Sequence, residues 1–130
     1  LPQKAEYVLP VRLSPVQEQL YAKYLEIRGY DSASSSLFRS YHTLAKVWNH
    51  PDLLLAELCK ARDKLGDGEQ LDASVAWAED AFEGYQPGLP ANGGKIQIMF
   101  DILEQAVLKK EKTLVFSQSL ETLNMIEGML

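Results

Sequence analysis

The chain has 130 residues, of which 46% are hydrophobic and 24% are charged, so it is long enough for one modest domain and too apolar for wholesale disorder. No apolar run approaches the ~20 residues that a membrane-spanning helix needs. A single cysteine excludes an intrachain disulfide, and the net charge of −5 disfavours a chain that binds nucleic acid by itself.

The acidity is concentrated in one part of the chain. Residues 51–92 carry three basic and nine acidic side chains, a net charge of −6. Residues 1–50 carry six basic and four acidic side chains, and residues 93–130 carry four basic and five acidic ones. The overall charge therefore describes one acidic block between two nearly neutral segments.

The first two elements differ in kind. Residues 6–13 are rich in β-forming residues but contain a proline, which predicts an edge strand or a strand-like linker. A helix start follows, because Ser14 is a good N-cap, Pro15 suits the first helical position and Gln17 completes a capping box. Apolar residues then recur at helical spacing, namely Val16, Leu20, Tyr24 and Ile27. The pattern predicts a helix that stops at Gly29.

Two more helices are predicted after a polar loop at residues 31–36. The second helix starts at Leu37 and ends near Asn49, because Pro51 disfavours the α conformation in the residue before it. Pro51 also suits the start of a third helix, which we expect over residues 52–65. The residues expected on the inner face of this third helix are Leu54, Leu55, Leu58 and Cys59.

The second half of the chain predicts an α/β fold. A short helix over residues 72–82 is followed by a glycine- and proline-rich boundary at residues 84–94. A regular helix follows, and then the apolar run at residues 113–116, which is typical of a buried parallel strand. Another helix begins at Leu120. Helix, strand and helix make half of a doubly wound α/β unit, and a lone parallel strand needs neighbours, so we expect a piece of a larger fold.

Three familiar kinds of site are disfavoured by the residue patterns. Cys59, His42 and His50 lack a zinc-binding spacing, so a buried cysteine and a helix-packing histidine are the better interpretation. Ser117 follows a predicted strand but lacks the G-x-S-x-G frame of a hydrolase nucleophile. Gly93-Gly94-Lys95 opens a helix without the G-x-x-x-x-G-K-[ST] frame of a phosphate loop.

The turn at residues 117–119 has a better functional case. A strand that ends in small polar residues and continues into a helix presents backbone N–H groups and hydroxyls to solvent, which favours an anion. In open α/β sheets, ligands also gather at the carboxyl ends of strands. Two interpretations stay open here: an anion-binding site, and Ser119 as an ordinary helix N-cap.

Four blocks of sequence span nearly the whole chain in a familiar order. They are residues 7–21 (YVLPVRLSPVQEQLY), 44–54 (LAKVWNHPDLL), 94–103 (GKIQIMFDIL) and 112–120 (KTLVFSQSL). Together they resemble the second ATPase lobe of Swi/Snf-type chromatin-remodelling ATPases, which are superfamily 2 helicase-like enzymes. The W-N-H-P variant and the F-S-Q-S-L-x-T-L-x-x-I-E tail are similar to the ATRX and androgen-receptor-interacting branch.

The resemblance implies a fold and a set of contacts. Residues 1–92 would form a mostly helical protrusion that enters lobe two, and residues 93–130 would form the first α-β-α unit of its RecA-like sheet. Ser117 and Gln118, in helicase motif IV, would contact DNA, with Lys95 as a further phosphate contact. The parent enzyme would be a nuclear, ATP- and magnesium-dependent translocase that partners its own first ATPase lobe and double-stranded DNA or a nucleosome.

The sequence also departs from that family and leaves a rival open. Trp48 stands where the family usually has Cys, and Gly93 stands where Ser is usual. The 130 residues lack a Walker A frame, an acidic magnesium box and the lobe-two arginine motif, and phosphoryl transfer needs all three. We therefore expect no ATPase activity from this chain alone. The rival is an acidic helical interaction module, in which residues 51–92 dock a basic partner such as a histone tail.

Overall fold

The computed structural model describes residues 1–28 and 37–130, and every regular element in these ranges is helical. The loop predicted at residues 31–36 and the helix stop predicted at Gly29 lie outside the described residues. The α-helices are α1 (Pro15–Arg28), α2 (Leu37–Asn49), α3 (Pro51–Asp63), α4 (Ala73–Ala76), α5 (Gly94–Leu108) and α6 (Leu120–Met129). Two short 3-10 helices cover Glu79–Phe82 and Pro90–Asn92.

The start of α1 confirms the predicted capping box. Ser14 Oγ accepts a hydrogen bond from the Gln17 N–H at 3.2 Å, and Gln17 Oε1 accepts one from the Ser14 N–H at 2.9 Å. Two backbone donors that the helix cannot use are thereby satisfied. Leu20 and Tyr24 are buried as the helical spacing predicts, whereas Ile27 is 47% exposed.

The third helix begins where predicted, but its buried face differs from the prediction. Leu53, Leu54 and Leu58 are buried, whereas Cys59 is exposed. Consecutive helical residues are ~100° apart around the axis, so Cys59 is turned away from the face on which Leu58 lies. The expectation of an inward-facing, buried cysteine is therefore wrong.

The helix predicted over residues 72–82 is broken in two. Asp72 caps α4 by accepting a hydrogen bond from the Ser74 N–H at 2.8 Å, but α4 ends at Ala76. The indole N–H of Trp77 donates to the Ser74 carbonyl at 2.9 Å, and the Ala78 N–H bonds instead to the Val75 carbonyl. The Trp77 side chain thus takes the carbonyl that would have continued an α-helix, and a 3-10 helix follows.

The strand predicted at residues 113–116 does not form, and of the two alternatives for residues 6–13 the structure has the linker and not the edge strand. The described residues do not adopt the predicted α/β class. Neither segment has regular secondary structure or strand pairing. Leu114 and Phe116 are 81% and 87% exposed. A strand is defined by hydrogen bonds to a neighbour, and the described part of the chain places no partner strand beside either segment. The fold seen here is helical.

One hydrophobic core joins the helices of the first two thirds of the chain. Its buried members come from α1, α2, α3 and the segment after α4, and they are Leu20, Val47, Leu54, Ala78 and Ala81. Complete burial of a leucine side chain contributes ~1.5–3 kcal/mol. None of the helices in residues 1–28 and 37–130 is long and apolar enough to cross a bilayer. The core holds the C-terminal end of α2 in place, and this end forms one wall of the site described next.

Candidate nucleic-acid interface

The structure brings Lys95, Ser117 and Gln118, the three contact residues predicted from the sequence, into one cleft of about 340 Å³. One wall is α2 from Tyr41 to Asn49. The opposite wall consists of the first turn of α5 and the turn before α6. The other lining residues are Tyr41, His42, Ala45, Trp48, Asn49 and Ser119. We call this space the Lys95 cleft.

Lys95 is held at the cleft from two sides. Its ammonium group donates a hydrogen bond to Asn49 Oδ1 at 2.6 Å. The start of its helix is fixed from within, because the Gly94 N–H donates to Oε1 of the fully buried Gln17 at 3.1 Å. Gln17 Nε2 in turn donates to the Val47 carbonyl at 2.7 Å, near the end of α2. One buried amide thus ties α1, the end of α2 and the start of α5 together.

The turn at residues 117–119 is ordered by its own hydroxyls. Ser117 Oγ accepts a hydrogen bond from the Ser119 N–H at 3.1 Å, and Ser119 Oγ accepts one from the Thr122 N–H at 3.1 Å. Ser119 is therefore the N-cap of α6, as one of the two open interpretations states. The cap does not decide the anion question, because the turn still presents Ser117 and the exposed Gln118 to the cleft at the N-terminal end of a helix.

The charge balance of the cleft favours an anion. Among the lining residues in the described part of the chain, Lys95 supplies a positive charge and no side chain is a carboxylate. The rest of the polar lining consists of hydroxyls, amides and an imidazole. By contrast, a larger cleft between α3 and α6 contains Lys46, which is 2.9 Å from a Glu57 carboxylate oxygen and 3.6 Å from a Glu121 one. Its positive charge is compensated, whereas that of the Lys95 cleft is not.

His50 is structural and does not face the cleft. It is fully buried, and its Nδ1 accepts a hydrogen bond from the Asp52 N–H at 3.1 Å as the N-cap of α3. The proton of the neutral ring therefore lies on Nε2, which donates to the Leu89 carbonyl at 2.9 Å. Both ring nitrogens are used in folding, so His50 has no lone pair left for a metal ion.

The segment after Tyr85 is fastened to the same helix start. Tyr85 Oη donates to a carboxylate oxygen of Asp52 at 2.5 Å, and the Gly88 N–H donates to the other at 2.8 Å. Burial and the neighbouring Asp52 carboxylate raise the pKa of the Tyr85 hydroxyl far above its usual range. These contacts position the loop that leads into Gly93 and α5.

The two glycines before Lys95 allow a close approach of three segments. A Cβ atom on Gly93 would lie 2.6 Å from His50 Cδ2 and 3.1 Å from the Asn49 carbonyl oxygen. A Cβ atom on Gly94 would collide with the backbone carbonyl of Arg12. The Gly93-Gly94 pair therefore packs directly against the N-terminal segment and the end of α2. This explains why glycine stands at position 93, where the resembling family usually has serine.

Sequence reasoning missed Asn49, Tyr41 and His42 as residues of the site. Asn49 lies in the N-H-P block that the sequence singles out, but nothing in that pattern shows that its side chain reaches Lys95. Tyr41 is 61% exposed and lies about two turns before Asn49 on α2, so it reaches the cleft only through the packing of α2 against α5. No sequence pattern identifies these residues as part of the site; only the packing of the helices does.

Comparison with known proteins identifies related chains. Helicase ARIP4 of Homo sapiens is 28% identical over 190 aligned residues, which cover 100% of this chain and 13% of that protein. Protein CHROMATIN REMODELING 20 of Arabidopsis thaliana is 30% identical over 166 residues, covering 98% of this chain and 11% of that protein. DNA excision repair protein ERCC-6-like of Mus musculus is 30% identical over 141 residues, covering 100% of this chain and 11% of that protein.

These relatives are Snf2-family helicase-like chromatin remodellers. The chain belongs to the Snf2 family and corresponds to a segment of the longer proteins in it. No protein-family model matches the chain, and no solved structure matches it. The chain spans little more than a tenth of the length of these Snf2-family relatives. The family resemblance drawn from the four sequence blocks is thereby confirmed.

The structure shows how the four Snf2-family blocks fit together. The first block ends at α1 and contacts the loop before α5, because Ser14 Oγ donates to the Asn92 carbonyl at 2.6 Å. The second block supplies Asn49, which contacts Lys95 of the third block and, through Nδ2, Thr122 Oγ1 at 3.3 Å in α6, directly after the fourth block. The second, third and fourth blocks therefore meet at the Lys95 cleft, and the first block contacts the residues just before Lys95.

Proposed function

We propose that this chain is part of an ATP-dependent DNA translocase that remodels chromatin or protein–DNA complexes, and that the Lys95 cleft contacts a phosphate of the DNA backbone. The observation that carries the proposal is the meeting of Lys95, Ser117 and Gln118 in a cleft whose described lining holds no carboxylate. Phosphate oxygens accept hydrogen bonds from ammonium groups, hydroxyls, amides and helix N-termini. Such contacts position a protein on DNA without reading its sequence.

The proposal extends to the fold of the parent protein. Residues 113–116 are mostly apolar and have no regular secondary structure, and Leu114 and Phe116 are mostly exposed. Leu9 and Val11 lie beside the same segment along an apolar groove on α5. We propose that residues 113–116 become a strand of a RecA-like lobe when the rest of the parent protein supplies its neighbours. Residues 1–92 then serve as the helical protrusion of that lobe and residues 93–130 as its first α-β-α unit.

ATP and magnesium belong to other parts of the parent protein in this proposal. The described residues contain no group of three or more His, Cys, Asp or Glu side chains placed to hold a metal ion, and the sequence has no phosphate-loop frame. The first ATPase lobe of the same protein and double-stranded DNA or a nucleosome are the proposed partners. A protein that acts on chromatin works in the nucleus, so we propose a nuclear location for the parent protein.

The salt dependence of DNA binding tests the phosphate contact. Each lost phosphate contact lowers the slope of log K against log salt by ~0.9. We expect Lys95→Met in the intact protein to reduce this slope by about one and to weaken binding of unrelated DNA sequences alike. Lys23→Met is the matched control, because Lys23 lies on α1 and contacts Asp80 at 3.4 Å. An unchanged slope and affinity in Lys95→Met would overturn the proposal.

The acidic interaction module is the second candidate. The observation in its favour is that Asp67, Glu69, Asp72 and Glu83 of the acidic block are all exposed. Against it, Glu57 and Asp80 are already paired with Lys46 and Lys23, and Glu79 is paired with Arg62. Titration of the chain with a lysine-rich histone-tail peptide separates the two. Micromolar binding that Asp67→Asn and Glu69→Gln abolish would favour the interaction module.

A further inference from the structure

Asn49 stands at the centre of the cleft without having been predicted as part of it. It is the last residue of α2, so its backbone is fixed between α2 and the buried N-cap His50. Its two side-chain atoms face different helices. Oδ1 accepts from Lys95 Nζ at 2.6 Å, and Nδ2 donates to Thr122 Oγ1 at 3.3 Å. One amide therefore spans the first turn of α5 and the first turn of α6.

We infer that Asn49 is a positioning residue that holds the Lys95 ammonium ready for a phosphate oxygen, at a set distance from the turn at residues 117–119. The inference rests on the proposed function. Thr122, to which Asn49 is anchored, is only 4% exposed, and its N–H is bound by Ser119 Oγ at 3.1 Å. The position of the Asn49 side chain is therefore fixed relative to the same turn that supplies Ser117 and Gln118.

The chemistry of an amide suits this task. A lysine side chain has many rotamers, and restricting them to one when a ligand binds costs conformational entropy. A side chain that is already ordered before binding loses less entropy at that step. A carboxylate in place of Asn49 would order Lys95 equally well but would cancel its charge. The neutral amide oxygen orders the ammonium and leaves its charge intact. An ammonium has three donors, so two remain for a ligand when Asn49 takes one.

The surroundings of Asn49 show that the arrangement is specific to Lys95. Lys46, one turn earlier on α2, lies between two carboxylates, those of Glu57 and Glu121. In residues 1–28 and 37–130, Lys95 forms no ion pair with a carboxylate. The charge of Lys46 is therefore compensated by two carboxylates, whereas Lys95 is oriented by an amide oxygen and its charge is not compensated.

A double-mutant cycle in the intact protein tests the inference. The DNA affinity is measured over a salt series for wild type, Asn49→Ala, Lys95→Met and the double variant. We expect Asn49→Ala to weaken binding about 3- to 10-fold, and the double variant to bind no more weakly than Lys95→Met alone, since Asn49 acts through Lys95. Asn124→Ala, an exposed amide on α6, is the matched control and should leave the affinity unchanged.

Asn49→Asp guards against a trivial loss of folding. It keeps the acceptor for Lys95, so its unfolding transition should stay near that of wild type, yet we expect weaker DNA binding and a salt slope lower by about one, as in Lys95→Met. The unfolding transition reports on the fold and the salt slope reports on the charge at the cleft, so the two measurements together separate weakened DNA binding from a loss of folding.

The outcomes separate this inference from the function on which it rests. Independent, additive losses from Asn49→Ala and Lys95→Met would overturn the positioning role and leave the phosphate contact standing. Wild-type binding by Asn49→Asp, which adds a carboxylate beside Lys95, would count against the phosphate contact itself. Full DNA affinity in Lys95→Met would overturn the phosphate contact itself, and the positioning role with it.

Discussion

Gln17 Oε1 accepts a hydrogen bond from the Gly94 N–H at 3.1 Å, across 77 positions of sequence. The same side chain donates to the Val47 carbonyl at 2.7 Å and is fully buried. A helix start has backbone N–H groups without partners, and a helix end has carbonyls without partners. Gln17 satisfies one N–H at the start of α5 and the Val47 and Trp48 carbonyls at the end of α2, and it also caps its own helix. The position of Lys95 at the cleft therefore depends on a residue in the first helix.

Replacement of Gln17 should cost the fold more than its size suggests. Gln17→Leu keeps the volume but leaves the Gly94 N–H and the Val47 carbonyl buried without partners, and each such group costs ~1–3 kcal/mol. We expect the free energy of unfolding to fall by about 2–4 kcal/mol in urea denaturation. Gln19→Leu, at an exposed position of the same helix, is the control and should change it by less than ~0.5 kcal/mol. Equal effects of the two variants would contradict this account.

The close approach at Gly93 predicts a contrast between two glycines. Gly93→Ala places a methyl group 2.6 Å from His50 Cδ2, and His50 cannot yield because both of its ring nitrogens are bonded. Overpacking of this kind costs ~1–3 kcal/mol. Gly128→Ala, in α6 with open space around the new methyl, should be neutral or should stabilise by up to ~1 kcal/mol through helix propensity. Thermal unfolding of both variants checks the contrast, and a harmless Gly93→Ala would refute the close packing.

Sequence patterns and structure agree most closely where the determinants are local. The capping box of Ser14 and Gln17, the first position of Pro51 and the N-cap of Ser119 each depend on residues within three positions, and all are confirmed. The break at Trp77 was not predictable from apolar spacing, because a side chain competes there for a backbone carbonyl. Residues 113–116 depend instead on non-local contacts. Their apolar run predicts a strand, but a strand forms only beside a neighbouring strand, and the described residues contain none.

The candidate site was predictable in part for the same reason. Lys95, Ser117 and Gln118 belong to recognisable sequence blocks, so they could be named in advance. Their meeting in one cleft, and the presence of Asn49 between them, follow from Gln17 and the Gly93-Gly94 pair, which set how closely α2 and α5 approach. A periodicity argument assigns residues to helix faces but does not give the distance between helices.

The Tyr85–Asp52 contact predicts sensitivity to alkaline pH. The pKa of Tyr85 is raised in the folded chain, so its neutral form stabilises the fold below the ordinary tyrosine pKa of ~10, and that contribution is lost as the pH rises above ~10. The loss should stay below the ~1.4 kcal/mol per pH unit of one proton, because the side chain is only partly buried. We expect wild type to be more stable than Tyr85→Phe at pH 8 and the difference to shrink by pH 11.

Urea unfolding at both pH values measures this difference. Tyr7→Phe is the control, because Tyr7 is 84% exposed and lies outside the contact between Tyr85 and Asp52. A stability difference between wild type and Tyr85→Phe that stays constant from pH 8 to pH 11 would contradict the role assigned to the Asp52 contact.

The chain by itself should not turn over ATP. Its 130 residues contain no phosphate-loop frame, and phosphoryl transfer requires groups that cradle the phosphates and hold magnesium. We expect phosphate release at the level of buffer when the purified chain is incubated with ATP, magnesium and DNA. On the proposed function, the intact protein releases phosphate under the same conditions and serves as the positive control. Turnover by the purified chain that scales with its concentration would refute this expectation.

The central claim is that the Lys95 cleft contacts a DNA phosphate, and a negative charge placed in the cleft tests it most directly. The measurement is the affinity of the intact protein for double-stranded DNA, with Ser117→Glu compared against Ser117→Ala at two salt concentrations. We predict that Ser117→Glu binds at least about tenfold more weakly than wild type at low salt, that the deficit shrinks at high salt, and that Ser117→Ala loses much less. Wild-type affinity in Ser117→Glu at low salt would contradict the claim.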